Sequence, residues 1–134
     1  MNQHLWEDDN CCFACGQNNL DGLRVPWIVN GTAMTGEFVS PKKFQGWKGF
    51  VHGGILATLL DEAMTRLATV LYGKAVTAEL TVRYLAPAPV GEKLFVCGEV
   101  VKEARKLVEM KAVIHLRNPE ERVLAHAFGK IMKI

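Results

Sequence analysis

The sequence predicts an α+β domain in which an antiparallel sheet packs on one long helix. Only one segment, from Gly53 to about Tyr72, has the apolar spacing of a long and largely enclosed helix. The segments after it alternate apolar and polar residues with a period of two, which is typical of half-buried strands. Short turns separate these strands, so neighbouring strands run antiparallel, and one sheet with one helix makes an α+β domain.

Composition places the chain among globular proteins. It has 134 residues, of which 49% are hydrophobic and 22% are charged, so it can bury a sizeable core and is not disordered. The length fits a single domain over residues 1–134, with an irregular, cysteine-containing segment at 1–22. The net charge of +2 is far below the basic excess of a typical DNA-binding domain, so no nucleic-acid partner is expected.

No targeting or membrane segment is predicted. The first ten residues contain three acids, and no apolar stretch approaches the roughly 20 residues that a membrane span needs. We therefore expect a cytoplasmic protein without a membrane partner. Its four cysteines are then expected to be thiols rather than disulfides; they are Cys11, Cys12, Cys15 and Cys97.

Two strands are predicted before the helix, at Leu23–Val29 and Thr32–Val39. Asn30-Gly31 between them predicts a hairpin, because both residues tolerate the positive φ of a type I′ turn. A loop at 41–50 then leads into the helix. The helix has a wide apolar face formed by Leu56, Leu59, Leu60, Ala63, Met64, Leu67, Val70 and Leu71.

Four strands are predicted after the helix, at Lys74–Ala86, Glu92–Glu103, Leu107–Leu116 and Arg122–Lys133. In the first of them the even positions from 76 to 84 are apolar and the odd positions, Thr77 among them, are polar. This alternation predicts that Thr77 lies on the solvent side. Turns are predicted at 104–106 and 118–121.

The start of the helix is a candidate site. Gly53 and Gly54 stand at its first turn, where backbone amides have no partner within the helix and lie at the positive end of its dipole. Such amides can stabilise a carbonyl oxygen that gains negative charge. Two glycines can equally serve only to turn the chain tightly.

Asp61 is the candidate acid. On the helical wheel its neighbours are Gly54, Ala57, Thr65 and Ala68, and so many small residues leave space in which a ligand could sit. The alternative is a structural Asp that accepts hydrogen bonds from the backbone or a Thr. For Glu62, one residue further, an exposed ion pair with Arg66 is expected.

The pattern resembles the hotdog-fold acyl-CoA thioesterases of the PaaI-like type (the 4-hydroxybenzoyl-CoA thioesterase superfamily). The resemblance rests on His52-Gly53-Gly54, on an Asp nine residues after the His, and on the segment 78–92 with its Pro and Gly-Glu turn. It covers roughly residues 23–134. It implies a hotdog fold, in which a curved antiparallel sheet wraps one long helix.

The resemblance also implies roles for single residues in the hydrolysis of an acyl thioester of coenzyme A or of an acyl carrier protein. Asp61 matches the general base or nucleophile, and Gly54, or Gly53 beside it, matches the amide that stabilises the oxyanion. His52 lies beside the thioester carbonyl, and Thr77 helps to hold the water or the acid. Substrate binding is assigned to Gln45, Gly53 and Thr65.

Two features depart from a plain match. Many relatives have Asn or Gln six residues before the His, where this chain has Gly46; either Gln45 takes that role or the role is absent. Cys12-x-x-Cys15 resembles an N-terminal signature in a subset of these proteins and is half of a zinc site. Because the sequence has no second pair of ligands at zinc spacing, no metal or other cofactor is expected.

The expected activity is thioester hydrolysis by a homodimer or homotetramer. Asp61 either activates water or attacks the carbonyl itself, and the residues do not distinguish these routes. Two alternatives stay open, an acyl-CoA-binding module without catalysis and a hotdog hydratase or dehydratase. In the resembled family the site is built from two chains, with Asp61 of one facing His52-Gly53-Gly54 of the other.

Overall fold

The computed structural model describes residues 6–116 and 122–134. A short 3-10 helix at Lys42–Phe44 precedes the long helix α1 at Gly53–Tyr72. The strands are β1 (Ile28–Asn30), β2 (Ala33–Val39), β3 (Ala75–Tyr84), β4 (Lys93–Glu103), β5 (Leu107–Leu116) and β6 (Val123–Lys133).

The six strands form one antiparallel sheet in the order β1-β2-β4-β5-β6-β3. Helix α1 packs against one face of this sheet and contacts five of its strands. The core between them is apolar and closed to solvent, and at its centre Leu59, Leu60 and Met64 are 0% exposed. The α+β architecture predicted from the sequence is confirmed.

The predicted helix is confirmed at both ends. Gly73, with a φ of 90°, follows its last residue, and its N–H donates a hydrogen bond to the Thr69 carbonyl. Most of the predicted apolar face is buried, but Val70 is 59% exposed, so the prediction was wrong there. The enclosed face therefore narrows towards the end of the helix.

The first hairpin forms one residue later than predicted. Asn30 pairs with Ala33, so the two turn residues are Gly31 and Thr32 rather than Asn30 and Gly31. Of the two, only Gly31 has a positive φ, 63°. A single positive φ at the first turn position is typical of a type II′ turn, and the predicted type I′ turn was wrong.

Strand β1 is also shorter than predicted. Residues 23–27 lie outside the strand. Arg24 has a φ of 51°, which is incompatible with extended backbone, and Pro26 has no N–H to donate. Leu23 and Val25 are nevertheless buried, so this segment is held by packing rather than by sheet pairing.

Strand β3 contains a β-bulge that the alternation did not predict. Thr77 pairs with Ile131 and Glu79 with Lys130, so Ala78 is the extra residue. The bulge turns Thr77 to the inner face, where Leu80 also lies, and Ala78 is exposed. The predicted solvent-side position of Thr77 and inner position of Ala78 were therefore wrong.

The remaining strands agree with prediction to within a residue or two. The turn at 104–106 is present, with the Ala104 N–H bonded to the Leu107 carbonyl. The turn predicted at 118–121 lies outside the described residues. Within the parts of the chain that the structure describes, no helix is both long and apolar enough to cross a membrane.

Candidate active site

His52 caps the first turn of α1, and its side chain occupies one of the two backbone amides that are candidates for binding a carbonyl oxygen. The Gly54 N–H donates a hydrogen bond to His52 Nδ1 at 2.9 Å. The Gly53 N–H has no hydrogen-bond acceptor among the described residues. The amide that remains available to a ligand at this helix start is therefore that of Gly53, whereas the sequence analysis put Gly54 first.

A surface cavity of about 600 Å³ opens beside this first turn. Its lining combines the start of the helix with apolar side chains and consists of Gly46, Trp47, Phe50, Val51, His52, Gly53 and Pro87. Trp47 is 88% exposed, so a large aromatic surface stands open next to the Gly53 amide. An acyl or aromatic group could lie there with its carbonyl near the helix start.

Gln45 does not point into this cavity. Its side-chain Oε1 accepts a hydrogen bond from the Gly49 N–H at 3.1 Å and so closes the 45–49 loop on itself. Gly46, six residues before His52, lines the cavity without a side chain. In this conformation neither residue supplies a side-chain amide to a substrate.

Asp61 belongs to a compact polar group with Thr65 and Thr77. Its Oδ1 accepts a hydrogen bond from the Thr77 hydroxyl at 2.5 Å and a longer one from Thr65 at 3.5 Å. The two hydroxyls are 3.0 Å apart. All three side chains are partly buried, so the carboxylate is fixed in direction while it stays accessible.

The polar group and the helix start lie apart within one chain. Gly53 and Asp61 are eight residues apart on α1, so at a rise of 1.5 Å per residue about 12 Å separates them. That is too far for both to reach one carbonyl group. The structure thus brings Thr65 and Thr77 to Asp61, and His52 to Gly53, but it does not join the two groups.

Glu62 is not the exposed residue that the sequence analysis expected. It is partly buried, and its Oε2 atom is closed to solvent without a hydrogen-bond partner in the described residues. Burial raises the pKa of the Glu62 carboxyl, and the nearby Arg66 charge opposes this shift. The N-terminal segment lies against Glu62, since the Sγ atoms of Cys12 and Cys15 are within 4.8 Å of one of its carboxylate oxygens.

Sequence reasoning missed one contact at the helix start. Tyr84, which the alternation placed on the inner face, is 52% exposed and donates a hydrogen bond from its hydroxyl to the Gly53 carbonyl at 2.8 Å. This bond ties the end of β3 to the first turn of α1. The motif itself carries no sign of it, because the contact joins residues 31 positions apart.

One long helix packed on a single antiparallel sheet is the arrangement of hotdog-fold proteins, and solved structures share it. The E. coli PaaI protein from the phenylacetic acid degradation operon matches with a TM-score of 0.76 at 19% identity, over 84% of this chain and 80% of that one. The smu.793 protein of Streptococcus mutans UA159, solved bound to acetyl CoA, matches with a TM-score of 0.72 at 21% identity, over 81% and 86%. These likenesses confirm the predicted hotdog fold.

The family follows from the sequence. A family model described as the thioesterase superfamily matches residues 48–123, more than half of the chain, and the chain belongs to that family. The acyl-coenzyme A thioesterase THEM4 of Xenopus laevis is 41% identical over 64 residues, which are 47% of this chain and 29% of that protein. The match thus spans less than a third of that relative's length.

Proposed function

We propose that this chain hydrolyses an acyl-CoA thioester to a free acid and a thiol. The observation that carries the proposal is the Asp61 carboxylate, partly buried on the family's long helix and oriented by the Thr77 hydroxyl. A carboxylate held in one direction can take a proton from an attacking water or attack a carbonyl carbon itself. Membership of the thioesterase superfamily supports this chemistry.

In the proposed reaction the Gly53 N–H donates a hydrogen bond to the thioester carbonyl oxygen. As water adds, or as Asp61 adds to form an anhydride, the C=O bond becomes a C–O⁻ bond that this amide and the helix dipole stabilise. The carbonyl then re-forms, the C–S bond breaks and the thiolate leaves. On the water route Asp61 takes the proton of the attacking water and returns it to the thiolate; on the anhydride route a water then hydrolyses the anhydride, which frees the acid and regenerates the Asp61 carboxylate. His52, through Nδ1, holds the Gly54 amide and so keeps the first turn in place.

The proposal includes a homo-oligomer, a dimer or tetramer, in which two chains complete each site. The support is the separation of about 12 Å along α1, which one chain cannot bridge. Strand β3 carries Thr77 and lies at an edge of the sheet, so pairing of two β3 edges would bring two α1 helices side by side. Asp61 of one protomer would then face the Gly53 amide of the other.

Coenzyme A is the proposed carrier because the THEM4 relative is named an acyl-coenzyme A thioesterase and the Streptococcus mutans neighbour holds acetyl CoA. A single domain over residues 1–134 and a cytoplasmic location complete the proposal. The location is supported by the four cysteines, all of which are free.

The test is a screen of aliphatic and aryl acyl-CoA thioesters with a reagent that detects the released thiol. Hydrolysis predicts one thiol and one free acid for each thioester consumed. Tight binding without thiol release would instead indicate an acyl-CoA-binding module. Loss of an enoyl-CoA double bond without thiol release would indicate a hydratase.

A further inference from the structure

The N-terminal segment is irregular but tightly built. The Gly16 N–H donates to the Cys12 carbonyl at 2.8 Å, which closes the Cys12-x-x-Cys15 turn. A Cβ at Gly16 would lie 2.5 Å from the Asn10 carbonyl oxygen, so only glycine fits at this close approach. Ala14, inside the turn, is 2% exposed and packs into the core. The two cysteines are therefore held in fixed positions on the body of the fold.

The turn sets both thiols against helix α1. The Sγ atoms of Cys12 and Cys15 and a carboxylate oxygen of Glu62 all lie within 4.8 Å of one another. Ligand atoms around a tetrahedral zinc ion, with Zn–S distances of about 2.3 Å, stand roughly 3.5–3.8 Å apart. Small side-chain rotations would thus bring these three atoms to coordination distance.

From this geometry we infer that Cys12, Cys15 and Glu62 form a binding site for a thiophilic divalent cation, Zn²⁺ above all. Two thiolates and one carboxylate from the chain leave the fourth tetrahedral position to water, which can reach the site because Cys12 is exposed. The third ligand comes from the helix, which is why a search of the sequence for a second cysteine pair does not find it.

A second observation points to a ligand at this place. Glu62 Oε2 is closed to solvent and has no hydrogen-bond partner within residues 6–116 and 122–134, a costly arrangement for a carboxylate oxygen. A bound cation would give that oxygen a partner.

The charges around the site also fit a dication. Three anionic ligands around Zn²⁺ leave one net negative charge, and the Arg66 guanidinium lies close enough to favour the ionised forms of both Cys15 and Glu62.

The role of this ion would be structural. It would fasten residues 12–15 to α1 next to Asp61, and it would touch neither the Gly53 amide nor the cavity beside it. This inference stands apart from the proposed hydrolysis, and its test needs no activity measurement.

The experiment titrates Co²⁺, and then competing Zn²⁺, into tag-free, chelator-treated full chain kept reduced with a phosphine. We expect one Co²⁺ per chain, with thiolate-to-cobalt charge-transfer absorption and the d–d bands of tetrahedral cobalt, both removed by Zn²⁺. Zn²⁺ should also raise the unfolding temperature. Cys12→Ser and Cys15→Ser should abolish all of these signals, and Glu62→Gln should weaken binding about tenfold or more.

The matched control is Cys11→Ser, because Cys11 is exposed, adjacent in sequence and outside the cluster. It should bind Co²⁺ as the unmodified chain does. Cys12 is exposed too, so circular dichroism should show that Cys12→Ser keeps the fold. The inference is overturned if the unmodified chain gives no thiolate–cobalt band at one equivalent, if Cys15→Ser or Glu62→Gln binds as tightly, or if Cys11→Ser is equally damaging.

Discussion

Thr77 on strand β3 donates a 2.5 Å hydrogen bond to Asp61 on helix α1, and a β-bulge at Ala78 makes this contact possible. Without the extra residue, Thr77 would lie on the opposite face of the strand from Leu80 and point away from the helix. A local irregularity of an edge strand thereby orients the proposed catalytic carboxylate.

We predict that Asp61→Asn lowers kcat by about 10²–10⁴, the range typical of losing a general base. The Asn side chain has the same shape as Asp, and its carbonyl oxygen can still accept a hydrogen bond from the Thr77 hydroxyl. The unfolding temperature and KM should therefore change little. Steady-state kinetics on the best acyl-CoA from the screen measure this. The control is Glu37→Gln, which breaks only an exposed ion pair with Lys93. An active Asp61→Asn would show that Asp61 is structural.

Thr77 should act by positioning Asp61, so its hydroxyl should matter more than its methyl group. Thr77→Val removes the donor at nearly constant volume, and we expect kcat to fall about ten- to a hundredfold, as when a reacting group is displaced slightly. Thr77→Ser should restore most of the rate. If Thr77→Val keeps its rate while Thr77→Ser loses it, the packing of the methyl group, rather than the hydrogen bond, is what the site needs.

Helix α1 lies so close to β4 that Gly98 has no room for a side chain. A Cβ there would stand 2.7 Å from the Ala63 carbonyl oxygen, which is helix backbone and cannot move aside. Gly98→Ala should therefore destabilise the fold by about 1–3 kcal/mol. At Gly129 a Cβ would meet the end of the flexible Met64 side chain at 3.0 Å, so Gly129→Ala should cost less. Denaturant unfolding of both variants compares them, and equal losses would contradict the close packing described.

Cys97 should react slowly with alkylating reagents. Burial, together with the neighbouring Glu99 charge, raises the pKa of its thiol, so at pH 8 less of it is the reactive thiolate. Its alkylation rate should rise as the solution pH approaches that raised pKa, and Glu99→Gln should speed it at constant pH. Site-resolved mass spectrometry can compare Cys97 with the exposed Cys11. Similar rates for both at pH 8 would contradict the prediction.

Periodicity predicted the elements but not their irregularities. The helix at 53–72 followed from its apolar spacing, because burial of one wide face dominates its sequence. The bulge at Ala78 did not, because the same residues can alternate regularly and nothing local requires the extra one. The turn at Gly31-Thr32 shifted by one residue for a similar reason: the pairing of β2 with β4 also fixes the register.

In the candidate site, too, the sequence predicted which residues take part but not the contacts that they make. The motif identified Asp61 and the helix start, but the His52 cap on the Gly54 amide is a matter of side-chain geometry and changes which glycine is free. The helical wheel predicts an exposed Glu62 because it includes only residues of the same helix. Cys12 and Cys15 of the N-terminal segment lie against Glu62, a tertiary contact that helical spacing does not predict.

The central claim is that Asp61 of one protomer and the Gly53 amide of another make one site, and subunit mixing tests it most directly. Gly53→Ala should fold, since its Cβ would lie 3.5 Å from the Tyr84 ring, an ordinary van der Waals contact. The added methyl group should nevertheless keep the thioester carbonyl away from the residue 53 amide. Asp61→Asn and Gly53→Ala are each expected to be nearly inactive alone. The two are mixed in equal amounts, and subunit exchange is verified by mass.

In a mixed dimer, one of the two sites combines an intact Asp61 with an intact Gly53, and the other site has neither. Random exchange should therefore restore about a quarter of the unmodified activity. A site contained within one chain would restore none, because each variant lacks one of its parts. Recovery near a quarter is the result the account predicts, and no recovery after proven exchange would contradict it.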